Sequence, residues 1–246
     1  MFVAKMPHNT FINIVRTIAH VIDTTVLTCS TTGMSLQEMD ISHASLVQLL
    51  IGESCFETYQ CEKNAVFGLS FHTMKDLLKD VDSVTLKSCE SGLSLLCEND
   101  EGVMEKKMAL VHVDPLQICI PEMEWSTVHT VSSSLFKQVI DELSEIALDV
   151  HLIPKQDHFT LGVFGKNGFE TRQVVPQCVN WMKNVYFAVS LYYVKKFCKA
   201  ACVSDTVTLC MSKEAPLLME FPLSHGYLRY YLAPKIFSES ENPPLA

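Results

Sequence analysis

Apolar positions recur along this chain at two different steps. From Phe11 to Ile22 the residues Ile14, Val15, Ile18 and Ile22 fall three or four apart, and from Phe136 to Ala147 so do Val139, Ile140, Leu143 and Ala147. That step draws one apolar stripe down a helix, so both stretches are predicted to be amphipathic helices, the second opening near Ser133. A second pair, Met74 to Val81 and Val194 to Ala201, carries lysines four apart, Lys75 with Lys79 and Lys195 with Lys199, opposite Leu78 and Cys198. On a helix that spacing sets both ammonium groups on one face. Between these stretches the chain reads as short β-rich runs. Phe159 to Gly165 followed by Lys166-Asn-Gly168 predicts a hairpin, because both positions of an Asn-Gly turn tolerate positive φ.

The same elements occur twice. Asp82-Ser-Val-Thr-Leu86 returns as Asp205-Thr-Val-Thr-Leu209, Leu95-Leu-Cys-Glu98 returns as Leu217-Leu-Met-Glu220, and the two helix pairs correspond in the same order. Four blocks at a nearly constant offset of roughly half the chain point to internal duplication. Each half then reads as two helices laid on antiparallel strands, an α+β unit. The halves are expected at 1–109 and 127–246, joined by 110–126. Pro115 and Pro121 exclude a helix from that join and remove ladder donors, so it reads as an extended connector. Leu116, Ile118 and Ile120 make it unusually apolar. Two readings stay open: packing onto one domain, or an exposed strip awaiting a partner.

Composition narrows the function more than it defines it. With 48% hydrophobic and 19% charged residues over 246 positions, the chain is expected to be folded rather than disordered. No run reaches the ~18 uninterrupted apolar residues of a membrane span, and the opening segment, broken by Asn9, Asn13, Arg16 and His20, is not a signal peptide. The net charge of −9 disfavours a surface coated in nucleic acid but leaves room for a local basic stripe. Ten cysteines without a C-x-x-C pair read as free thiols in a reducing compartment.

Catalytic signals are poor. The sequence holds no G-x-S-x-G elbow, no P-loop and no H-E-x-x-H. Asp40, Ser42 and His43 sit too close together on what reads as one strand to converge on a reacting atom. No metal and no cofactor are expected, and the chain does not read as an enzyme. What remains is a set of lysine-bearing helices. They are either solvated faces or a surface that meets phosphates without reading sequence.

Four stretches carry a resemblance that favours the second reading. Gly33-Met-Ser-Leu-Gln-Glu-Met-Asp-Ile-Ser-His-Ala-Ser-Leu-Val-Gln-Leu49, Phe56-Glu-Thr-Tyr-Gln-Cys-Glu-Lys-Asn64, Ile120-Pro-Glu122 and Leu228-Arg-Tyr-Tyr-Leu-Ala-Pro-Lys-Ile236 closely resemble the matching parts of the proliferating cell nuclear antigen family, the eukaryotic DNA sliding clamps. The similarity runs in register from Met1 to Ile236. It implies a DNA-clamp fold of two similar domains, each with two helices on antiparallel sheets, in a ring-forming subunit. Three copies would close head to tail around double-stranded DNA, a homotrimer bound without regard to base sequence and with no membrane partner. The edge strand near 106–110 would pair with one near 179–183 of the next copy. DNA polymerases, a clamp loader and other proteins with a clamp-binding motif would dock on it in the nucleus, or at a replication site in the host for a viral relative.

Carried over by position, the resemblance implies DNA-facing residues Arg16, His20, Lys75, Lys79, Lys137, Lys195, Lys196 and Lys199. It implies a partner-peptide pocket of Met39, His43, Ala44, Leu46, Ile118, Ile120, Pro121, Pro216, Tyr231, Leu232, Ala233, Pro234 and Ile236. This chain departs from the family on the inner helices, where Asn13, Ile14, Asp76, Gln138, Asp141 and Glu145 stand at basic positions. The expected function is therefore a processivity factor that tethers replication and repair enzymes. The alternative is a divergent or viral paralogue that acts mainly as a protein scaffold, or in a mixed ring, with weak DNA contact.

Overall fold

A computed structural model describes all residues except 7–9, 91, 117, 183–184 and 236–246, with the side chains of Cys178 and Phe187 also left aside. The chain divides into two compact units, 1–119 with 222–228, and 120–221 with 229–246.

In the first unit, β1 (Phe2–Lys5), β5 (Thr58–Cys61), β7 (Ser83–Cys89), β8 (Gly92–Asn99) and β9 (Gly102–Ala109) form one antiparallel sheet in the order β5-β1-β7-β8-β9. A second set, β6 (Ala65–Ser70), β2 (Thr24–Ser30), β3 (Gly33–Met39) and β4 (Ser45–Gly52), lies in that order. The helices are α1 (Thr10–Ile18) and α2 (Phe71–Leu77). Ile14, Val15, Ile18 and Ile22 are all buried, as the stripe requires. The helix is shorter than the stripe, however. After Ile18 the backbone tightens into His20 N–H to Thr17 O and Val21 N–H to Ile18 O bonds, so His20 lies in a turn. Phe2 packs on Phe67 at 5.4 Å, and the Tyr59 hydroxyl lies 2.7 Å from the carbonyls of both Ser30 and Gly33.

In the second unit, β10 (Thr127–Ser132), β14 (Cys178–Trp181), β16 (Thr206–Met211), β17 (Leu217–Leu223) and β18 (Gly226–Leu232) run in the order β14-β10-β16-β17-β18, the tip of the last hairpin belonging to the first unit. The other sheet is β13 (Gly168–Val174), β12 (Phe159–Gly165), β11 (Asp149–Pro154) and β15 (Phe187–Ser190) in that order. Its helices are α3 (Ser133–Ser144) and α4 (Leu191–Phe197), the latter running into a 3₁₀ turn, Cys198–Cys202. Tyr230 stacks on Phe197 at 4.4 Å and meets Phe221 edge-on at 6.1 Å, all three fully buried.

The duplication is visible in the pairing. Leu86 faces Leu95 across β7 and β8, whereas Leu209 faces Met219, the counterpart of Cys97, across β16 and β17. The slip is even, so every side chain keeps its face of the sheet. With the register shifted, β16 ends at Met211 and β17 starts at Leu217, leaving Ser212–Pro216 between them.

Two local expectations need correcting. The β12–β13 hairpin forms with Gly165 opposite Gly168, so its turn residues are Lys166 and Asn167. Positive φ falls on Gly168 at 125° and not on Asn167. Asp40, Ser42 and His43 lie in a turn rather than a strand. The Asp40 carboxylate accepts from the Ser42 hydroxyl and, at 2.6 Å, from the Ser45 N–H, while His43 adopts a φ of 56°. Asp40 thus organises the turn and offers no base to a nucleophile.

Candidate functional site

The helix layers hold most of the expected cations. In the first unit α2 begins at a small polar knot: the Ser70 hydroxyl accepts from Thr73 N–H at 3.1 Å and donates to Asp23, whose Oδ1 also meets His72 Nδ1 at 2.9 Å. The His72 contact holds the Asp23 carboxyl below its usual value. Lys75 lies on the last turn of α2, but the helix ends at Leu77, so Lys79 sits beyond it. In the second unit Lys195 and Lys196 close α4, and Lys199 falls in the 3₁₀ turn. A spacing of four no longer returns to one face once the last turn tightens to about three residues. The expected two-lysine face is therefore splayed in both units.

Most of these cations already have partners. Lys79 pairs with Asp76 at 2.9 Å, Lys137 with Asp141 at 2.5 Å, and Lys195 with Glu145 at 3.6 Å and with Ser144 Oγ at 2.8 Å. Arg16 reaches the Leu78 carbonyl at 3.5 Å, satisfying part of the α2 terminus. Lys196 lies 4.2 Å over the exposed Tyr192 ring. Lys75 and Lys199 form no ion pair among the described residues.

A second feature is the connector. Its start lies along β6: Val111 N–H donates to Gly68 O at 2.9 Å, and a Cβ on Gly68 would sit 2.0 Å from Val111 O, so only glycine allows the approach. Farther on, the Gln37 amide grips the backbone of Ile118 from both sides, donating to its carbonyl at 3.2 Å and accepting from its N–H at 2.9 Å. Between this strap and the sheet lies a cavity of about 430 Å³ lined by Val26, Leu36, Leu49, Leu50, Leu116 and Tyr227 among others. In the second unit the strap's other end is held by Ser212, whose Oγ reaches Glu124 O at 3.1 Å and Ser126 Oγ at 2.9 Å.

The expected pocket residues divide between the units. In the first, Met39 pairs with Leu46 across β3 and β4, with Leu46 buried, Ala44 half-buried, and His43 and Ile118 exposed. Of these only Ile118 lines the cavity. In the second, Ile120 and Pro216 are half-buried and Pro121, Ala233 and Pro234 exposed. Leu232 alternates with Tyr231 and shares a face with the buried Leu228 and Tyr230, so it belongs to the core rather than to a pocket wall. Tyr231 is itself buried. Ile236 lies outside the described residues. Sequence reasoning missed Gln37 and Tyr227; Gln37 was detectable as a polar side chain in mid-strand opposite Gln48, though its target on the connector was not.

Sheet edges complete the picture. β9 closes one end of its sheet, with Val103 and Met104 exposed to 69% and 61%, and β14 closes one end of its own, followed by Met182 at 59%. Among the described residues no three His, Cys, Asp or Glu side chains are grouped for a metal, and no helix is long and apolar enough to cross a membrane.

Residues 1–117 match the proliferating cell nuclear antigen N-terminal domain, and residues 119–236 match its C-terminal domain. The chain belongs to the proliferating cell nuclear antigen family. The sliding-clamp fold, α+β with antiparallel sheets and four helices, accounts for the duplication: one family domain ends and the other begins within the connector. Membership of this clamp family associates the chain with DNA, with replication and repair, and with clamp-binding partners in general.

Proposed function

We propose that this protein is the subunit of a homotrimeric sliding clamp. The ring encircles double-stranded DNA without reading its sequence and tethers polymerases and other replication and repair enzymes. It is loaded by a clamp loader, acts in the nucleus, and catalyses nothing itself. Residues 1–109 and 127–246 are its two domains, with 110–126 as the connector along which partners dock a short motif. The observation that carries the reading is the pair of open edges in a chain of clamp-family domains. An eight-residue strand, β9, carries exposed apolar side chains at the edge of one unit, and β14 is an edge strand of the other. Unpaired edges of this kind invite another chain, and a head-to-tail contact closes into a ring when the rotation fits. Lys183, at the far end of the expected pairing strand, lies outside the described residues.

Sedimentation at micromolar concentration tests assembly: the proposal requires a particle of three chains, and a persistent monomer would contradict it. A second reading, a scaffold with weak DNA grip, draws support from the carboxylates that occupy Lys79, Lys137 and Lys195. The two readings part on the Lys79→Glu/Lys199→Glu variant. The clamp reading expects impaired polymerase stimulation, whereas a scaffold would be indifferent.

A further inference from the structure

We infer that the helix layers carry a built-in brake on phosphate contact: Asp76, Asp141 and Glu145 hold Lys79, Lys137 and Lys195 against DNA, leaving Lys75 and Lys199 as the principal backbone contacts. This rests on reading these helices as the DNA-facing surface.

The geometry is consistent across both units. Each acid lies on or at the end of a helix and takes its lysine locally, at i,i+3 for Asp76–Lys79 and i,i+4 for Lys137–Asp141, or from the neighbouring helix for Glu145–Lys195. By the internal repeat Lys75 corresponds to Lys195 and Lys79 to Lys199. One lysine of each pair is engaged, and it is the opposite member in the two units. The Lys79 hydrogen bond also holds the Asp76 carboxyl below its ordinary value.

The Lys79–Asp76 pair is exposed, at 67% and 62%, as is Glu145 at 80%, so these two pairs are individually weak and breakable. Lys137–Asp141, at 37% and 36%, is half-buried and the firmest of the three. Their effect is to raise the cost of every phosphate contact. A lysine that exchanges a carboxylate for a phosphate frees an acid beside the DNA, and that acid attracts a cation in turn. Net counterion release, the driving force of sequence-independent binding, is then small. Lys75 and Lys199, which make no ion pair among the described residues, have no such exchange to make, although the Asp76 charge is also felt at Lys75. A clamp that is retained by topology gains low friction from such a surface.

The test uses the native chain, an Asp76→Asn/Asp141→Asn/Glu145→Gln variant, and a control Glu57→Gln/Glu90→Gln/Glu214→Gln variant. The control removes the same charge at exposed sites away from the helices. Binding to a short labelled linear duplex is followed by fluorescence anisotropy across a salt series. The helix variant should bind about tenfold tighter at low salt, with a steeper dependence of log K on log salt. The control should move by no more than twofold, as roughly expected for a change in net charge alone. Unchanged or weaker binding by the helix variant, or equal tightening by the control, overturns the brake. Retention of the native protein on closed circular DNA reports separately on the clamp reading. Retention with no tightening sinks only the brake, and failure of retention sinks the clamp while the anisotropy still decides the brake.

Discussion

In the first unit every described histidine, at positions 20, 43, 72, 112 and 225, is exposed, whereas the second unit buries His129 and His151 to 0% and 3%. His129 on β10 donates from Nε2 to Lys155 O at 2.9 Å, and its Nδ1 lies 3.1 Å from the Thr127 hydroxyl, an arrangement that suits the neutral Nε2–H ring. His151 on β11 stacks on Tyr186 and meets Phe164 and Phe169 edge-on. Burial lowers the pKa of both, opposed at His129 by its bond to the Lys155 carbonyl and at His151 by the charge of Asp149. The duplication therefore preserved the plan of strands and helices but not the polar content of the interior. Among the described residues, one half can take acid without charging a buried histidine, and the other cannot.

The strongest way to separate the halves is to empty one core. Phe197→Ala removes the ring stacked on Tyr230 and should cost about 3–5 kcal/mol. Hydrogen exchange should show protection lost across 120–221 and kept in 1–119; loss in both would mean that the units do not open independently. Acid should give the next largest difference. A histidine whose folded pKa is depressed contributes stability that is full above its unfolded value, about 6.5, and is lost as pH falls through the folded value. Protection in the second unit should fall between pH 7 and 5 while the first holds. His129→Gln with His151→Phe should flatten that slope, and an unchanged slope would assign it elsewhere.

The two ends of the connector offer a finer comparison. Gln37→Ala removes two hydrogen bonds from Ile118, each worth about 0.5–1.5 kcal/mol net. Exchange at the Ile118 amide should rise, and a partner peptide should bind several-fold more weakly. Ile120→Ala with Tyr231→Ala should weaken the same peptide, and unaltered affinity in both variants would place the docking surface elsewhere. The smallest effect concerns equivalent helix starts. The Ser70 side chain caps α2, while Ser190 makes no such bond before α4. Ser70→Ala should cost about 1 kcal/mol and Ser190→Ala a few tenths at most by thermal melts. Equal losses would remove the distinction.

The architecture was legible because apolar spacing and duplication are properties of long stretches. Ile14, Ile18, Ile140 and Leu143 went where their spacing sent them, into the core. Helix ends were not legible. Nothing local to Ile18 or Leu77 announces that the backbone will tighten, and that shift moved His20 and Lys79 off their helices. Candidate cations could be named from the chain, and the Lys79–Asp76 and Lys137–Asp141 pairs follow local spacing, but the partner of Lys195 required the fold, since it meets Glu145 and Ser144 from a different helix. Leu232 was misplaced for a related reason. An apolar residue beside Tyr231 looks like pocket wall until strand alternation assigns it to the opposite face. The connector's two open readings resolve in part: its apolar residues Leu116 and Ile118 help line a cavity, and Ile118 remains exposed beside it.

Encirclement is the central claim, and it is most directly tested by loading the protein with a clamp loader onto nicked circular DNA and separating free from bound protein at high salt. A closed ring stays with the intact circle and is lost when the circle is cut to a linear molecule, because electrostatic contacts are screened and only topology holds it. Equal loss from circular and linear DNA would contradict the account.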